Sequence, residues 1–416
     1  MASWNAIATI LSRGMMIVTM MITARILGKA DFGVVGIVQS SIALFESVAA
    51  FGMGVTAAKH IAEYRINAKY KIPRIVSLTN FTALITGVTF STVLYLLAPW
   101  LAVEYLNNPR LQPYLEISAL ILGFNTFSSI QMGILVGFQL FKNMALINLI
   151  VGLTTLCTVI YGAYFYSIQG VFYGLLSVSA TAACLNTGFV IRALIKEKIS
   201  MRFKITKEEW ILLWKFSMPA MLSGLMIAPI NWLGASMLVK QEDGLASMGV
   251  FSAANQWFSF LLFIPGVLTN TLLPMFSAAA ARNDLIELRQ KVWKGTKLLL
   301  VIVLPMVIAI AYLSPWIMKM YGKDFTEGSL VLLVISGAAS FAAAQNLIGN
   351  ALASINRMWV HTLCNVVWAI VYLFSAMYFI ELKLGALALG IAMLVSYFSK
   401  LVISYFLFLI FSYSRK

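Results

Sequence analysis

The sequence predicts an all-α integral membrane protein of about twelve transmembrane helices in two parallel six-helix lobes. Three observations carry this prediction. The 416 residues are 61% hydrophobic and only 11% charged, against roughly 25% charged in a soluble chain, and mean hydropathy is +0.89. The apolar residues fall into twelve runs, most of them near the ~20 residues that cross a bilayer as a helix. The second half also repeats landmarks of the first at one fixed offset.

In order, the runs are 4–24, 34–57, 75–97, 115–137, 144–166, 171–194, 216–239, 248–273, 296–318, 330–353, 360–380 and 386–411. The first has no basic leader or small-residue cleavage site, so it is expected to act as an uncleaved signal anchor. The eighth carries Pro265, where a kink is expected. Residues 196–215 join a first lobe, 1–195, to a second, 216–416. Within this linker Thr206 and Glu209 have capping-box spacing ahead of Trp210–Trp214, which predicts a short amphipathic helix on the cytoplasmic interface.

The net charge is +15. The charges sit in short loops, which fits membrane topology and not nucleic-acid binding. Twenty-one Lys and Arg fall in the even-to-odd loops and the C-terminus, and seven in the other loops. This bias places both termini in the cytoplasm. No outside loop reaches twenty residues, so no external catalytic domain is expected. Cys157, Cys184 and Cys364 each lie in an apolar run without paired spacing and read as small buried hydrophobes. His60 and His361 stand far apart, and no metal site is expected.

At an offset of 216 residues Gly28 falls on Gly244, Gly33 on Gly249, Pro99-Trp100 on Pro315-Trp316, Tyr105 on Tyr321, Gly133 on Gly349 and Gly174 on Gly390. Six spans per half give the halves the same orientation, related by an axis along the membrane normal, with a substrate cavity expected where the halves meet.

An ionised residue at the bilayer centre costs about 2.5–3.5 kcal/mol on insertion scales, so mid-span charges mark function or partnership. Three are present: Arg13, Glu46 and Lys400. Arg13 lies on a polar stripe with Asn5, Thr9, Ser12, Thr19 and Thr23. Gln39 and Glu46, seven apart, share a face. Asn255, Gln256 and Asn270 fall in the eighth run, Asn346 and Asn350 in the tenth, and Ser396, Lys400 and Ser404 align in the twelfth. Alternative readings are helix packing for the amides and hydroxyls, an Arg13–Glu46 ion pair, and a Lys400 that snorkels to the cytoplasmic surface. The three charges have no counterparts in the opposite half, which favours tailoring to a substrate.

Ala24-Arg25-Ile26-Leu27-Gly28-Lys29-Ala30-Asp31-Phe32-Gly33 closely resembles the junction of the first two helices in polysaccharide flippases, the O-antigen and capsule exporters of the multidrug/oligosaccharidyl-lipid/polysaccharide exporter superfamily. Trp214–Leu225 resembles the start of their second half. Lys29 departs from the pattern, which often has proline there. The resemblance implies a multidrug-and-toxin-extrusion-like fold in the inner membrane. It also implies translocation of an undecaprenyl-pyrophosphate-linked oligosaccharide to the outer leaflet by alternating access, with membrane lipids and polysaccharide polymerisation proteins as further partners. Arginine suits a bidentate phosphate contact. Arg13 and Lys400 are therefore the expected pyrophosphate anchors, and Gln39, Asn255, Gln256, Asn270, Asn346 and Asn350 the sugar-hydroxyl partners. Glu46 is the expected coupling residue. No cofactor or catalytic residue is expected; a proton or sodium gradient or the membrane potential would supply the energy. A drug/cation antiporter would want more acids in its cavity, and a glycan polymerase or glycosyltransferase a large outside loop.

Overall fold

The computed structural model describes residues 2–199, 217–218, 225–282, 284–355 and 357–413. The expected linker helix with Thr206 and Glu209, most of the Trp214–Leu225 motif, and the side chains of Asn5 and Asn270 lie outside the described part. The described elements are α1 (Ala2–Ala49), α2 (Met53–Asn67), α3 (Ile72–Trp100), α4 (Gln112–Gly137), α5 (Phe141–Lys196), α6 (Ile227–Val239), α7 (Gly244–Leu261), α8 (Phe263–Ala281), α9 (Leu285–Tyr321), α10 (Gly328–Ser354), α11 (Met358–Glu381) and α12 (Ala386–Tyr413), with short 3-10 and π turns between some of them. No strand occurs among the described residues. The protein has an all-α membrane fold.

Nine helical stretches among the described residues are long and apolar enough to cross a membrane. Two of them are double. Gly28 (φ 76°) breaks α1, and Ser167 (φ 53°) breaks α5. The α6 segment is the described part of the run expected at 216–239. Among the described residues the other eleven runs thus find their helices, with three changes of boundary. The second rod starts directly after Gly28 and not at residue 34. It stops at Ala49, because Phe51 (φ 46°) and Gly52 (φ 64°) turn the chain. The separate helix α2 follows, burying Met53, Ala57 and Ile61 while its other faces carry Lys59, Glu63 and Arg65. The eighth run divides at Leu262 into α7 and α8. Pro265 explains the break, since its missing N–H leaves the Leu261 carbonyl four residues back without its helical bond.

Apolar exposure is the mark of a lipid-solvated surface. Helix α9 buries Leu288, Val292, Leu299 and Val303 along one stripe, yet Val301, Ile308 and Tyr312 stand 65–72% exposed. In water such a face would be an aggregation hazard; in hydrocarbon it costs nothing to leave open.

The chain forms two compact units. One comprises Met1–Leu27 and Val34–Trp232; the other Gly28–Gly33 and Leu233–Lys416. In the first unit small residues bring helix backbones together. A side chain on Gly133 of α4 would strike the Gly54 backbone of α2, and Gly162 and Gly170 abut across the Ser167 turn. Trp232 donates to Ser41 Oγ (2.9 Å) and stacks on Tyr105 (5.1 Å).

The second unit includes the tip of the first hairpin. A side chain on Gly33 would run into the Leu245 carbonyl, and one on Gly249 into the Lys29 carbonyl. Gly33 pairs with Gly249, and Lys29 with Leu245, under the same 216-residue offset, so this joint is locally two-fold. Phe32 packs edge-on against Tyr321 and Phe325 (6.5 and 6.0 Å). Lys29 Nζ reaches Glu327 at 2.9 Å, with side chains 38% and 63% exposed. An exposed pair of this kind contributes little. Glu327→Gln is expected to change thermal stability by less than about 1 kcal/mol, as read from melts of purified protein; a larger loss would make the ion pair, not the glycine contact, the fastening of this tip.

Candidate functional site

Lys400 is the sole mid-span cation of the second unit, and it is buried, at 4% exposure. It does not snorkel. Its ammonium lies over the Trp368 ring at 5.8 Å and near that of Tyr397 at 6.0 Å, and no carboxylate among the described residues pairs with it. Two aromatic faces contribute cation–π attraction of up to about 2 kcal/mol each when desolvated. That is less than the several kcal/mol needed to strip an ion of water.

Its surroundings explain how a polar pocket forms inside this greasy bundle. On α11, His361, Asn365, Trp368 and Tyr372 recur at spacings of four, three and four, so they share one face. On α12, Tyr397, Lys400 and Ser404 do the same. Trp368 stacks on Tyr372 (5.6 Å) and meets Tyr397 (5.6 Å), which fixes the two stripes against each other. The third wall is α10. Gly349 has no side chain where the His361 ring sits, and Gln345 lies beside the same gap. Gln345 Nε2 and Oε1, His361 Nδ1, Asn365 Oδ1, Trp368 Nε1 and Ser404 Oγ are buried without a protein partner. Each such group costs about 1–3 kcal/mol when left unsatisfied. Packing alone would not assemble them around a buried cation. Chemically, one ammonium with indole, amide and hydroxyl donors is suited to an oxyanion.

The other residues singled out by sequence fall in both units. In the first unit, Arg13 is exposed and Glu46 and Gln39 are half-buried. No ion pair described among these residues joins Arg13 to Glu46. Part of the polar stripe beside Arg13 is satisfied by backbone carbonyls, across helices only at Ser12. Ser12 donates to the Asn148 carbonyl, Thr19 to Met15 (2.8 Å) and Thr23 to Thr19 (2.8 Å). In the second unit, Gln256 is committed through its carbonyl to Tyr321 (3.2 Å), which also accepts from Trp257 (3.2 Å). Asn255 and Asn350 are half-buried and Asn346 is exposed. None of these amides joins the Lys400 cluster through any described hydrogen bond. Gln345, His361, Asn365 and Trp368 were not singled out by sequence. The available signal was the His361-Asn365-Trp368 spacing opposite the Lys400 stripe.

Comparison with known proteins places the fold. The chain superposes on an inward-facing multidrug resistance MATE family transporter of the MOP superfamily with a TM-score of 0.84, 13% identity and 98% coverage of both chains. It superposes on the lipid II flippase MurJ in an inward closed conformation with a TM-score of 0.73, 14% identity, and 99% and 87% coverage. In sequence it is 25% identical over 225 residues to the EPS I polysaccharide export inner membrane protein EpsE of Ralstonia solanacearum, matching 53% of this chain and 50% of that protein. The chain thus spans about half the length of the curated relatives it matches. A polysaccharide biosynthesis protein family model matches residues 22–330, so the chain belongs to that family.

Proposed function

We propose that this protein is a flippase of the inner membrane. It carries an undecaprenyl-pyrophosphate-linked oligosaccharide from the cytoplasmic to the outer leaflet by alternating access between two repeat-related six-helix lobes, 1–195 and 216–416, joined by 196–215. Both termini are cytoplasmic, and polysaccharide polymerisation proteins receive the product. The observation that carries the reading is the buried, uncompensated Lys400 amid unpartnered donors, in a chain of the polysaccharide biosynthesis family. A drug/cation antiporter would instead present a buried carboxylate.

In this reading the pyrophosphate is drawn by Lys400 and Arg13, and sugar hydroxyls by amides among Gln39, Asn255, Gln256, Asn270, Asn346 and Asn350, with Gln345 and Asn365 now added. An inside-negative potential favours outward movement of an anion by about 2.3 kcal/mol per charge per 100 mV. Glu46 couples the step to a proton or sodium gradient.

Deleting the gene is expected to leave lipid-linked repeat units accumulating on the cytoplasmic leaflet; their normal appearance outside would overturn the proposal. Arg13→Ala is expected to slow flipping in reconstituted vesicles by about tenfold, the scale of one charge-assisted contact. Glu46→Gln is expected to remove the ion dependence, and an unchanged ion profile would take Glu46 out of the mechanism.

A further inference from the structure

The turn at Ser167, in the first unit, differs in chemistry from the other outside turns. With both termini cytoplasmic, as proposed above, five of the six outside turns carry an acid and a base, among them Glu104 with Arg110 and Glu381 with Lys383. The Ser167 turn carries neither, and no charged residue occurs between Lys142 and Arg192. Aromatic rings stand in their place. Tyr161, Tyr164, Phe165, Tyr166 and Tyr173 are each more than half exposed. In water such a cluster would be an aggregation hazard. The glycine spacing explains why these rings stay outside. Gly162 and Gly170 lie backbone to backbone, and Gly174 meets the Thr158 and Val159 backbone. The two arms of α5 therefore meet through glycine, with no ring between them at these points.

Depth says what this tip meets. From Lys142 to Tyr166 the helix rises about 36 Å, against a hydrocarbon core of about 30 Å. With Lys142 at the cytoplasmic interface, the rings stand at the level of the outer headgroups. An interfacial belt accounts for tyrosine at that depth, but not for a turn without charge. Phosphate headgroups are met by Lys and Arg, which this turn lacks. An uncharged sugar headgroup is the complementary partner. It offers a face of C–H groups for a ring to cover, and rim hydroxyls for phenols and amides to bond. The rings are also held in place. Tyr161 packs on Phe165 (4.6 Å) and Tyr166 (6.5 Å), and Phe165 on Tyr164 (5.1 Å). Gln169 donates to the Tyr173 hydroxyl at 3.4 Å. Tyrosine supplies large amphipathic contact area at a low cost in conformational entropy.

We propose that the Ser167 turn is a glycan-binding platform at the outer leaflet. Tyr164, Phe165 and Tyr166 stack on uncharged sugar rings of a glycolipid headgroup, and Gln169 with the tyrosine hydroxyls bonds the sugar hydroxyls. The arrival of a glycan there rests on the flippase reading above. The platform gives the delivered headgroup a landing place apart from the Lys400 cluster.

The test is photolabelling of the full chain in phosphatidylethanolamine vesicles, using diglucosyl diacylglycerol with a photoreactive group on its terminal sugar. Label is expected between Tyr161 and Tyr173. Unlabelled diglucosyl diacylglycerol should abolish it, whereas diacylglycerol and phosphatidylglycerol at the same excess should not. Each stacked ring is worth about threefold, so Tyr164→Leu with Tyr166→Leu, which keeps the tip apolar, should weaken labelling about tenfold. Tyr164→Phe with Tyr166→Phe keeps both rings and should retain most of the label, which also shows that the tip tolerates substitution. Equal competition by diacylglycerol or phosphatidylglycerol, or full labelling of the double leucine variant, overturns the proposal and leaves the rings as a lipid belt. Flipping measured in the same vesicles separates the two readings. Unspecific label with intact flipping removes the platform alone, and specific label without flipping removes the flippase reading alone.

Discussion

Lys400→Met is expected to raise thermal stability while abolishing transport. The two effects have one cause. Lys400 holds a charge in a buried site with no carboxylate partner among the described residues. Its aromatic neighbours recover only part of the cost of dehydration. Methionine has nearly the same length and fills the same space against Trp368 and Tyr397, so it removes the cost and keeps the packing. Replacing buried charges with apolar residues of similar volume is often stabilising by about 1–4 kcal/mol. A residue kept for stability would show the reverse. The measurement is a melt of the purified variant beside a flipping assay in vesicles. Transport would fall by at least about tenfold, the worth of one charged hydrogen bond. Lys400→Arg keeps the charge but adds bulk beside Trp368, and should retain a fraction of the activity. A Lys400→Met protein that melts lower yet flips normally would make the lysine a packing element and take the anion site with it.

What could be read from the sequence follows the reach of each physical signal. The need for about twenty apolar residues per crossing acts on every span, so the runs were visible without structure. The hairpin breaks were visible too: Gly28 tolerates positive φ, and the gap between the runs 144–166 and 171–194 brackets Ser167, where Gly162 and Gly170 approach closely. Lys400 stood out because a mid-membrane charge is expensive. Its surroundings did not, because a glutamine, an asparagine or a tryptophan in a span is ordinary, and only the crossing of α10, α11 and α12 brings Gln345, His361, Asn365 and Trp368 to one place. Arg13 and Glu46 show the opposite limit. Each was conspicuous alone, but sequence spacing says nothing about whether residues on two rods meet, and no described ion pair joins these two.

The glycine joint gives the second large effect and tests the internal repeat directly. Gly33→Ala and Gly249→Ala each place a methyl group on a backbone carbonyl that has no rotamer to move aside, Leu245 in one case and Lys29 in the other. Overpacking of this kind typically costs about 1–3 kcal/mol and more when backbone must shift. Each variant should therefore melt well below the parent, in contrast with the near-neutral Glu327→Gln. The double variant decides the geometry. If the two glycines sat in separate contacts, their costs would add. Here each faces the chain segment that carries the other, so the first substitution already pushes the hairpin tip from α7 and the second finds the space open. The double variant is expected to cost about as much as the worse single one, a coupling within the roughly 0.5–3 kcal/mol seen for residues in direct contact. Simple additivity would mean that the Gly28–Gly33 tip does not rest on Gly249, and that the match between Gly33 and Gly249 along the chain has no counterpart in space.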